Sequence, residues 1–174
     1  GMALQSDGAL VGVGSGFNAG LGVNDLTVAR YLPNGTLDTS FAGGDGLLSL
    51  SIGRRSDAAY SVAIQSDGKI LVGGVAYDRN DNGDFSLIRL LSDGTLDSTF
   101  GAAGVTLTGF GQDDVIRKIV VQSDGKILVV GTTKDIYSAA DIAVARYNSD
   151  GSLDTGFASQ GRLTLDLGGT NDYA

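Results

Sequence analysis

The segment Gln65-Ser-Asp-Gly-Lys-Ile-Leu-Val-Gly-Gly74 decides how this chain folds, because closely similar segments begin at Gln5 and at Gln122. In each copy an apolar stretch runs up to a Ser-Asp-Gly turn and resumes directly after it. Asp and Gly accept the positive φ angles that tight turns need, so each copy predicts a β-hairpin. We therefore expect tandem repeats that each begin with a hairpin.

Two series of equivalent residues give the length of the repeat. Successive glutamines of the hairpin are 60 and 57 residues apart. Each repeat also carries one arginine at an equivalent place, and these arginines are 59 and 57 residues apart: Arg30, Arg89 and Arg146. The sequence thus predicts one domain, 1–174, made of three repeats at about 1–57, 58–114 and 115–174.

The composition favours an all-β protein and excludes several classes of function. All 20 acidic residues are Asp, and the 28 glycines are turn formers rather than helix formers. The net charge of -8 argues against nucleic-acid binding. Without Cys or His, the chain lacks disulfides, the commonest general base and the commonest metal ligand. No apolar run reaches the roughly 20 residues that span a bilayer.

Each repeat is predicted to contain four strands. The first strands are 2–5, 62–65 and 119–122, and the second are 9–13, 69–73 and 126–130. After a loop of about ten residues come the third strands, 26–32, 85–91 and 142–148. The fourth strands are 47–52, 105–110 and 162–167. Four antiparallel strands, apolar on both faces and repeated in tandem, are typical of a β-propeller blade, and the main competing fold is a β-solenoid.

The repeat also resembles a known family. The hairpin Gln-Ser-Asp-Gly-Lys-Ile-Leu-Val, then Ala-Arg-Tyr, then Asp-Gly-Ser/Thr-Leu-Asp-x-x-Phe is similar to the delta-60 repeat of bacterial proteins, over almost the whole chain. Ala9 and Leu90 depart from this pattern. The resemblance implies a β-propeller whose first strands line the central axis. It also suggests an extracellular or surface setting, and it implies no particular biochemical activity.

Three blades leave two apolar faces uncovered, whereas propellers usually close with about four to eight blades. We therefore predict a homodimer that forms a six-bladed ring, in which segment 171–174 of one chain leads to strand 2–5 of the other. The alternative is that the chain is a fragment of a longer array of blades.

Residues that recur in all three repeats favour structural roles. The three arginines are expected to pair with aspartates, either Asp38, Asp97 and Asp154 or Asp25, Asp84 and Asp141, because a buried arginine needs a partner. The recurring phenylalanines are expected to pack between blades: Phe41, Phe100 and Phe157.

Two groups of residues that differ between the repeats are candidate binding sites. Asp78, Asn80, Asn82 and Asp84 fit the first half of a calcium loop, although Arg89 occupies the twelfth position, where such a loop has Glu. Asp/Asn/Gly clusters are also ordinary turn residues. The second group lies before first strands and could bind an acidic ligand at the channel mouth, or could simply be solvated: Arg54, Arg55, Arg117 and Lys118.

Taken together, the sequence predicts a non-enzymatic β-propeller that acts as a scaffold or binding platform, with calcium as its one candidate cofactor. The alternative from another class is a carbohydrate-active enzyme that uses Asp residues at the channel mouth. No spacing of aspartates in the sequence selects a catalytic pair.

Overall fold

A computed structural model describes residues 1–111, 113–134, 140–166 and 172. Within these residues the chain forms twelve β-strands in three four-stranded antiparallel sheets, one for each repeat, with neighbouring strands joined in chain order. The all-β prediction and the three four-stranded units are thus confirmed. The last predicted fourth strand includes residue 167, and the predicted connection to a second chain includes residues 171, 173 and 174. These four residues lie outside the described residues.

The strand bounds are as follows. The first sheet contains β1 (Met2–Leu4), β2 (Leu10–Asn18), β3 (Val23–Tyr31) and β4 (Leu47–Leu50). The second contains β5 (Asp57–Ile64), β6 (Ile70–Tyr77), β7 (Gly83–Leu90) and β8 (Val105–Thr108). The third contains β9 (Val115–Val121), β10 (Ile127–Thr133), β11 (Asp141–Tyr147) and β12 (Arg162–Leu165).

The central hairpins are longer than the sequence predicts. Strand β2 runs to Asn18, and its pairing with β3 continues to the pair Asn18 and Val23. Likewise β5 begins at Asp57, five residues before the predicted start and at the residue assigned to the end of the first repeat. Backbone hydrogen bonding continues past the apolar core into polar residues, so the apolar pattern alone underestimates strand length.

Strands β5 and β9 each contain a β-bulge at the same place in the repeat. The pairing register shifts across Tyr60 in β5 and across Arg117 in β9. Opposite the bulges lie Gly74 and Gly131, where an added Cβ would overlap the carbonyl oxygens of Ala58 and Val115. The absence of a side chain at these glycines lets the two backbones approach closely.

The three sheets pack face to face in chain order. The first strands of neighbouring sheets contact one another, β1 with β5 and β5 with β9, so the sheets converge along this edge. Apolar residues fill both junctions, which we call the first and second seams. Fully buried examples are Val11, Leu26 and Ile88 in the first seam and Leu71, Leu87 and Ile127 in the second. This arrangement is that of consecutive propeller blades.

One face at each end of the stack is uncovered in the single chain. On the first blade, Met2, Leu4, Leu47 and Tyr31 lie on the face turned away from the first seam, with Met2 74% and Leu4 70% exposed. On the third blade, Val120 and Leu165 lie on the face turned away from the second seam and are 49% and 39% exposed. The equivalents of Tyr31 in the other blades, Leu90 and Tyr147, are fully buried.

Candidate functional site

The most developed polar arrangement in the structure lies across the second seam, centred on Arg89. Its Nε donates to Oδ2 of Asp97 at 2.8 Å, and its Nη1 donates to the carbonyl oxygen of Ser149 in the third blade at 2.5 Å. The guanidinium carbon lies 4.5 Å from the ring centre of Phe100. The arginine therefore joins two blades while its charge is neutralised within its own blade.

The phenylalanine completes this contact between blades. Phe100 is fully buried, and a Cβ added to Gly151 of the third blade would lie 2.9 Å from its ring. Directly after Phe100, the N–H of Gly101 donates to the carbonyl oxygen of Asp150 at 2.8 Å. We call this set the seam latch: an Arg, an Asp and a Phe of one blade, against the β-turn between the third and fourth strands of the next blade.

The first seam has the same latch, one repeat earlier. Arg30 pairs with Asp38 at 2.7 Å and donates to the carbonyl oxygen of Ser92 at 2.5 Å. Phe41 is fully buried, and a Cβ added to Gly94 would lie 2.6 Å from its ring. The predicted arginine pairing with Asp38, Asp97 and Asp154, and the packing of Phe41 and Phe100 between blades, are confirmed.

The third copy of the latch lies at the open end of the chain. Arg146 pairs with Asp154 at 2.8 Å and lies 4.6 Å from the ring centre of Phe157. At the opposite end, Gly35 occupies the turn position of Gly94 and Gly151, and a Cβ added there would have no atom within 4 Å. The described chain thus presents one half of a latch at each end.

The latch carboxylates remain ionised near neutral pH. Hydrogen bonds from Thr99, together with the charge of Arg89, lower the pKa of Asp97. Hydrogen bonds from Ser40 and the ion pair with Arg30 do the same for the pKa of Asp38. The pKa of Asp154 is lowered by Lys126 first and then by Arg146. These carboxylates take part in ion pairs that stabilise the blades, and at neutral pH they carry no proton that a substrate could accept.

The four predicted ligand-binding bases have different partners in the structure. Arg54 lines a pocket with Arg79, whereas Arg55 forms an exposed ion pair with Asp81 at 2.9 Å. The guanidinium carbon of Arg117 lies 4.9 Å from the ring centre of Tyr60, the equivalent bulge residue of the second blade. Lys118, on the innermost strand of the third blade, is exposed. Two of these bases lie in the β4–β5 loop and two within β9, and their joint role in binding stays a prediction.

The predicted calcium segment forms a turn that is closed by Asp78. Its Oδ1 accepts the backbone N–H groups of Asn80 and Asn82 at 2.7 and 3.0 Å. The Asn82 amide also donates to Oδ2 at 3.3 Å. Burial raises the pKa of Asp84, and the negative charge of nearby Asp114 raises it further. The carboxylate of Asp78 therefore already has donors within its own loop, and the assignment to calcium stays a prediction.

Buried aspartates at the blade connections were not found from the sequence. Asp57 accepts the N–H groups of Ile52 and Gly53, and Asp114 accepts those of Phe110 and Gly111. Both are almost fully buried, and burial raises the pKa of each. They hold the turn between a fourth strand and the next first strand. The recurrence of Asp 5 residues after Ile52 and 4 after Phe110 was the available sequence signal.

The third blade has a group of three carboxylates at the corresponding end of its sheet. Oxygen atoms of Asp141, Asp166 and Asp172 lie within 4.8 Å of one another. In the strand register, Asp166 stands next to Asp141 in the place that Gly109 occupies next to Asp84. Among the described residues this is the grouping whose oxygens are close enough to share a cation, and it differs from the predicted segment 78–84.

The hairpin glutamines also share a property that their recurrence alone does not explain. In each blade the glutamine side-chain oxygen is buried and has no hydrogen-bond partner within the described structure: Gln5, Gln65 and Gln122. Between the second and third blades, Gln65 and Gln122 line an open groove of about 680 Å³ with Ser66, Ser123 and the aliphatic Ile64 and Val121. This groove is lined by amide, hydroxyl and aliphatic groups and by the carboxylate of Asp67.

Comparison with family models identifies the repeat. The model described as a domain of unknown function (DUF5122) with a β-propeller fold matches three segments, 5–41, 65–100 and 122–157, which together cover more than half of the chain. The chain belongs to this family of β-propeller repeats. The family is the delta-60 repeat family that the hairpin and Asp-Gly motifs resemble, so that prediction is confirmed. Each match begins at a hairpin glutamine and ends at a latch phenylalanine.

The delta-60 match begins after each first strand, spans the hairpin turn, the second and third strands and the latch of every blade, and ends before each fourth strand. The family description assigns no biochemical activity. No curated protein matches the chain. Among the described residues, no helix is long and apolar enough to cross a membrane.

Proposed function

We propose that this delta-60 chain is a non-enzymatic scaffold and binding platform, and that two copies close into a six-bladed ring. The observation that carries the proposal is the pair of unfilled half-latches, Arg146 and Phe157 at one end and the turn around Gly35 at the other. At both internal seams, the same half-latches are joined.

The two uncovered faces support this assembly because they correspond to faces that are joined inside the chain. The outer face of the first blade contains Leu10 and Tyr31, whose equivalents Ile70 and Leu90 are fully buried in the first seam. The outer face of the third blade contains Val144, whose equivalent Leu87 is fully buried in the second seam. Burying both faces removes apolar area from water at about 25 cal/mol per Å².

The direction of the contact favours two copies arranged head to tail. In each internal seam the Arg and Phe come from the earlier blade, and the turn comes from the later blade. The third blade of one copy would therefore contact the first blade of the other, and the same contact made in return closes the ring with two-fold symmetry. Six blades fall within the usual range for propellers.

The enzymatic alternative has less support from the contacts. Asp38, Asp97 and Asp154 are engaged by arginines, and Asp57 and Asp114 accept backbone N–H groups. A glycosidase needs two carboxylates facing an open cleft about 5 to 10 Å apart, one of them free to donate a proton. We therefore place the function in binding and assembly.

The test is the mass of the chain in solution, measured by sedimentation equilibrium over a wide concentration range. We expect twice the chain mass of 17.7 kDa. Gly35→Asn adds a side chain where the partner's Phe157 would lie, and Asn tolerates the φ of 83° at this position, so the variant is expected to be a folded monomer. Gly22→Asn, at another positive-φ glycine with no atom within 4 Å, is the matched control and stays dimeric.

Two results would contradict the ring. The first is a native chain that remains a monomer at every concentration. The second is a dimer whose association constant is the same for Gly35→Asn and Gly22→Asn, because such a dimer would not use the latch.

A further inference from the structure

The rim of the first seam carries an apolar groove, whereas the groove at the rim of the second seam is smaller, at about 340 Å³, and includes Ser and Thr side chains in its lining. The apolar groove has a volume of about 460 Å³ and lies between the fourth strands of the first two blades. Its apolar walls come from both blades: Leu50 and Ile52 on one side, Leu96, Val105 and Leu107 on the other. Leu107 is 48% exposed, so this aliphatic wall is open to solvent.

The second seam is polar at the equivalent place. Arg162 stands where the second blade has Val105, and its Nη1 donates to the carbonyl oxygen of Gly109 at 2.8 Å. Thr164 takes the place of Leu107, and Thr108 takes the place of Leu50. Thr108 accepts a hydrogen bond at 2.8 Å from the hydroxyl of Tyr147. Leu50, Ile52 and Val105 pack against the core of the first seam, whereas Leu107 is exposed and is replaced by Thr164 in the third blade, so blade packing does not require an apolar residue at its position.

A basic pocket adjoins the apolar groove. Ser51 lines both spaces, and the second, of about 360 Å³, is lined further by Leu21, Val23, Arg54 and Arg79. Both arginines are exposed, and within the described residues neither forms an ion pair. Other arginines of this acidic chain, such as Arg30, Arg55 and Arg89, are paired with aspartates. Two unpaired guanidinium groups beside an apolar groove fit a ligand with an apolar part and an acidic end.

The groove is also bordered by a strand edge. Strand β8 pairs with β7 on one side and is the last strand of its sheet. On its outer edge Val105 is already bonded to Ala102, and beyond Val105 this edge has no strand partner within the described chain. An edge strand presents outward N–H and C=O groups that an added extended segment can bond. The groove is open to solvent at Leu107, which suits a peptide segment rather than a fully enclosed acyl chain.

We propose that the first seam binds an extended peptide with alternating apolar side chains and an acidic C-terminus. The apolar side chains lie between Ile52 and Leu107, the backbone pairs with the edge of β8 at Leu107, and the terminal carboxylates contact Arg54 and Arg79. This inference gives the proposed binding platform a ligand class and rests on that part of the proposed function. It does not depend on ring closure, because both walls belong to one chain.

The probe is a fluorescein-labelled peptide, Gly-Val-Leu-Val-Leu-Asp with a free C-terminus, measured by fluorescence anisotropy. We expect saturable binding that weakens as salt is added, because part of the attraction is between charges. The amidated peptide ending in Asn, and a peptide with Ser and Thr in place of Val and Leu, are expected to bind at least about tenfold more weakly, since each lacks one of the two contacts.

Protein variants locate the site. The double variant Arg54→Ala with Arg79→Ala is expected to lose at least about tenfold in affinity, as is Leu107→Thr, which copies the third blade. Arg55→Ala removes a neighbouring arginine that is already paired with Asp81, and it is the matched control with unchanged affinity. Gly35→Asn is expected to bind the peptide as the native chain does, which separates this site from the ring.

Several outcomes would overturn the proposal. No saturable binding of the labelled peptide is one, and equal affinity for the amidated peptide is another. Equal losses in Arg55→Ala and in the double variant would indicate attraction without a site. If dodecanoate binds at the groove and the peptide does not, the ligand class is wrong. Circular dichroism shows whether the variants are folded, and Leu107→Thr gives a second reading if the double variant is not.

Discussion

Phe100 of the second blade lies against Gly151 of the third, so closely that an added Cβ would be 2.9 Å from the ring. Gly151 has a φ of 87°, a conformation that Asn tolerates. We expect Gly151→Asn to lower the free energy of unfolding by about 1 to 3 kcal/mol, as overpacking does. Urea denaturation followed by circular dichroism measures this loss.

Gly22→Asn is the control for this first prediction, because it makes the same exchange at a positive-φ glycine with no atom within 4 Å. Its free energy of unfolding is expected to stay close to that of the native chain. Equal losses at the two positions would mean that backbone strain, and not contact with Phe100, limits position 151.

The second prediction concerns the buried ion pair of Arg89 and Asp97, whose side chains are 7% and 4% exposed. Arg89→Met leaves the Asp97 carboxylate with only the more distant Lys69 ammonium, at 3.8 Å, and removes the bond to Ser149. We expect a loss of about 3 kcal/mol in the free energy of unfolding. Arg146→Met makes the same exchange at the open end and is expected to cost the isolated chain less. A larger loss for Arg146→Met would contradict the assignment of the latch.

The third prediction uses the glycines that face the bulges. Gly131→Ala places a Cβ on the carbonyl oxygen of Val115, so we expect a loss of about 1 to 3 kcal/mol or a failure to fold. Gly14→Ala, at the equivalent position of the first blade, has no atom within 4 Å and is expected to be neutral. Thermal denaturation of both variants compares them. Similar midpoints would show that the bulge is not held by close approach of the backbones.

The fourth prediction is a dependence on alkaline pH. Burial raises the pKa of Tyr147 to about 12, while a tyrosine in the unfolded chain has the ordinary pKa of 10.0. The contribution of the neutral phenol to stability is therefore complete below pH 10 and is lost as the pH rises through about 12. Burial also raises the pKa of Tyr77, so absorbance at about 295 nm should show late-ionising tyrosines, and Tyr147→Phe should reduce this late change. A late absorbance change of equal size in Tyr147→Phe and in the native chain would contradict the assignment.

The fifth prediction distinguishes a turn from a calcium site in segment 78–84. The oxygens of Asp78 already accept hydrogen bonds from Asn80 and Asn82, and a bound ion would have to replace these donors. We therefore expect calcium chloride to leave the thermal midpoint unchanged. A midpoint that rises with calcium, and does not rise in Asp78→Asn, would assign the loop to calcium instead.

Much of the fold could be predicted from the sequence because its signals are local and occur three times. The Ser-Asp-Gly turns fix the hairpins, and the recurrence of Arg89 and Asp97 at constant spacing indicates their pairing. Strand length was less accessible, since the pairing of β2 with β3 continues through polar residues beyond the apolar pattern. The bulges at Tyr60 and Arg117 depend on contact between backbones, and no side-chain pattern reports such contact.

The candidate sites were harder to predict for a different reason. Arg54 and Arg55 are adjacent in sequence, yet one lines a pocket with Arg79 and the other pairs with Asp81. The apolar groove brings Ile52 and Leu107 together from two repeats. Such sites arise from the packing of separate blades, so the sequence within one repeat carries little information about them.

The latch lies at the end of each blade that carries the Asp-Gly turns, and the opposite end carries the connections in which the repeats differ most. The two halves of every blade can therefore evolve at different rates. Substitutions in the divergent loops leave the contacts between blades intact, so the binding surface can change while the fold is kept. Sequences near the latch should then vary little among relatives, and sequences of the loops at the opposite end should vary with the partner that each relative binds.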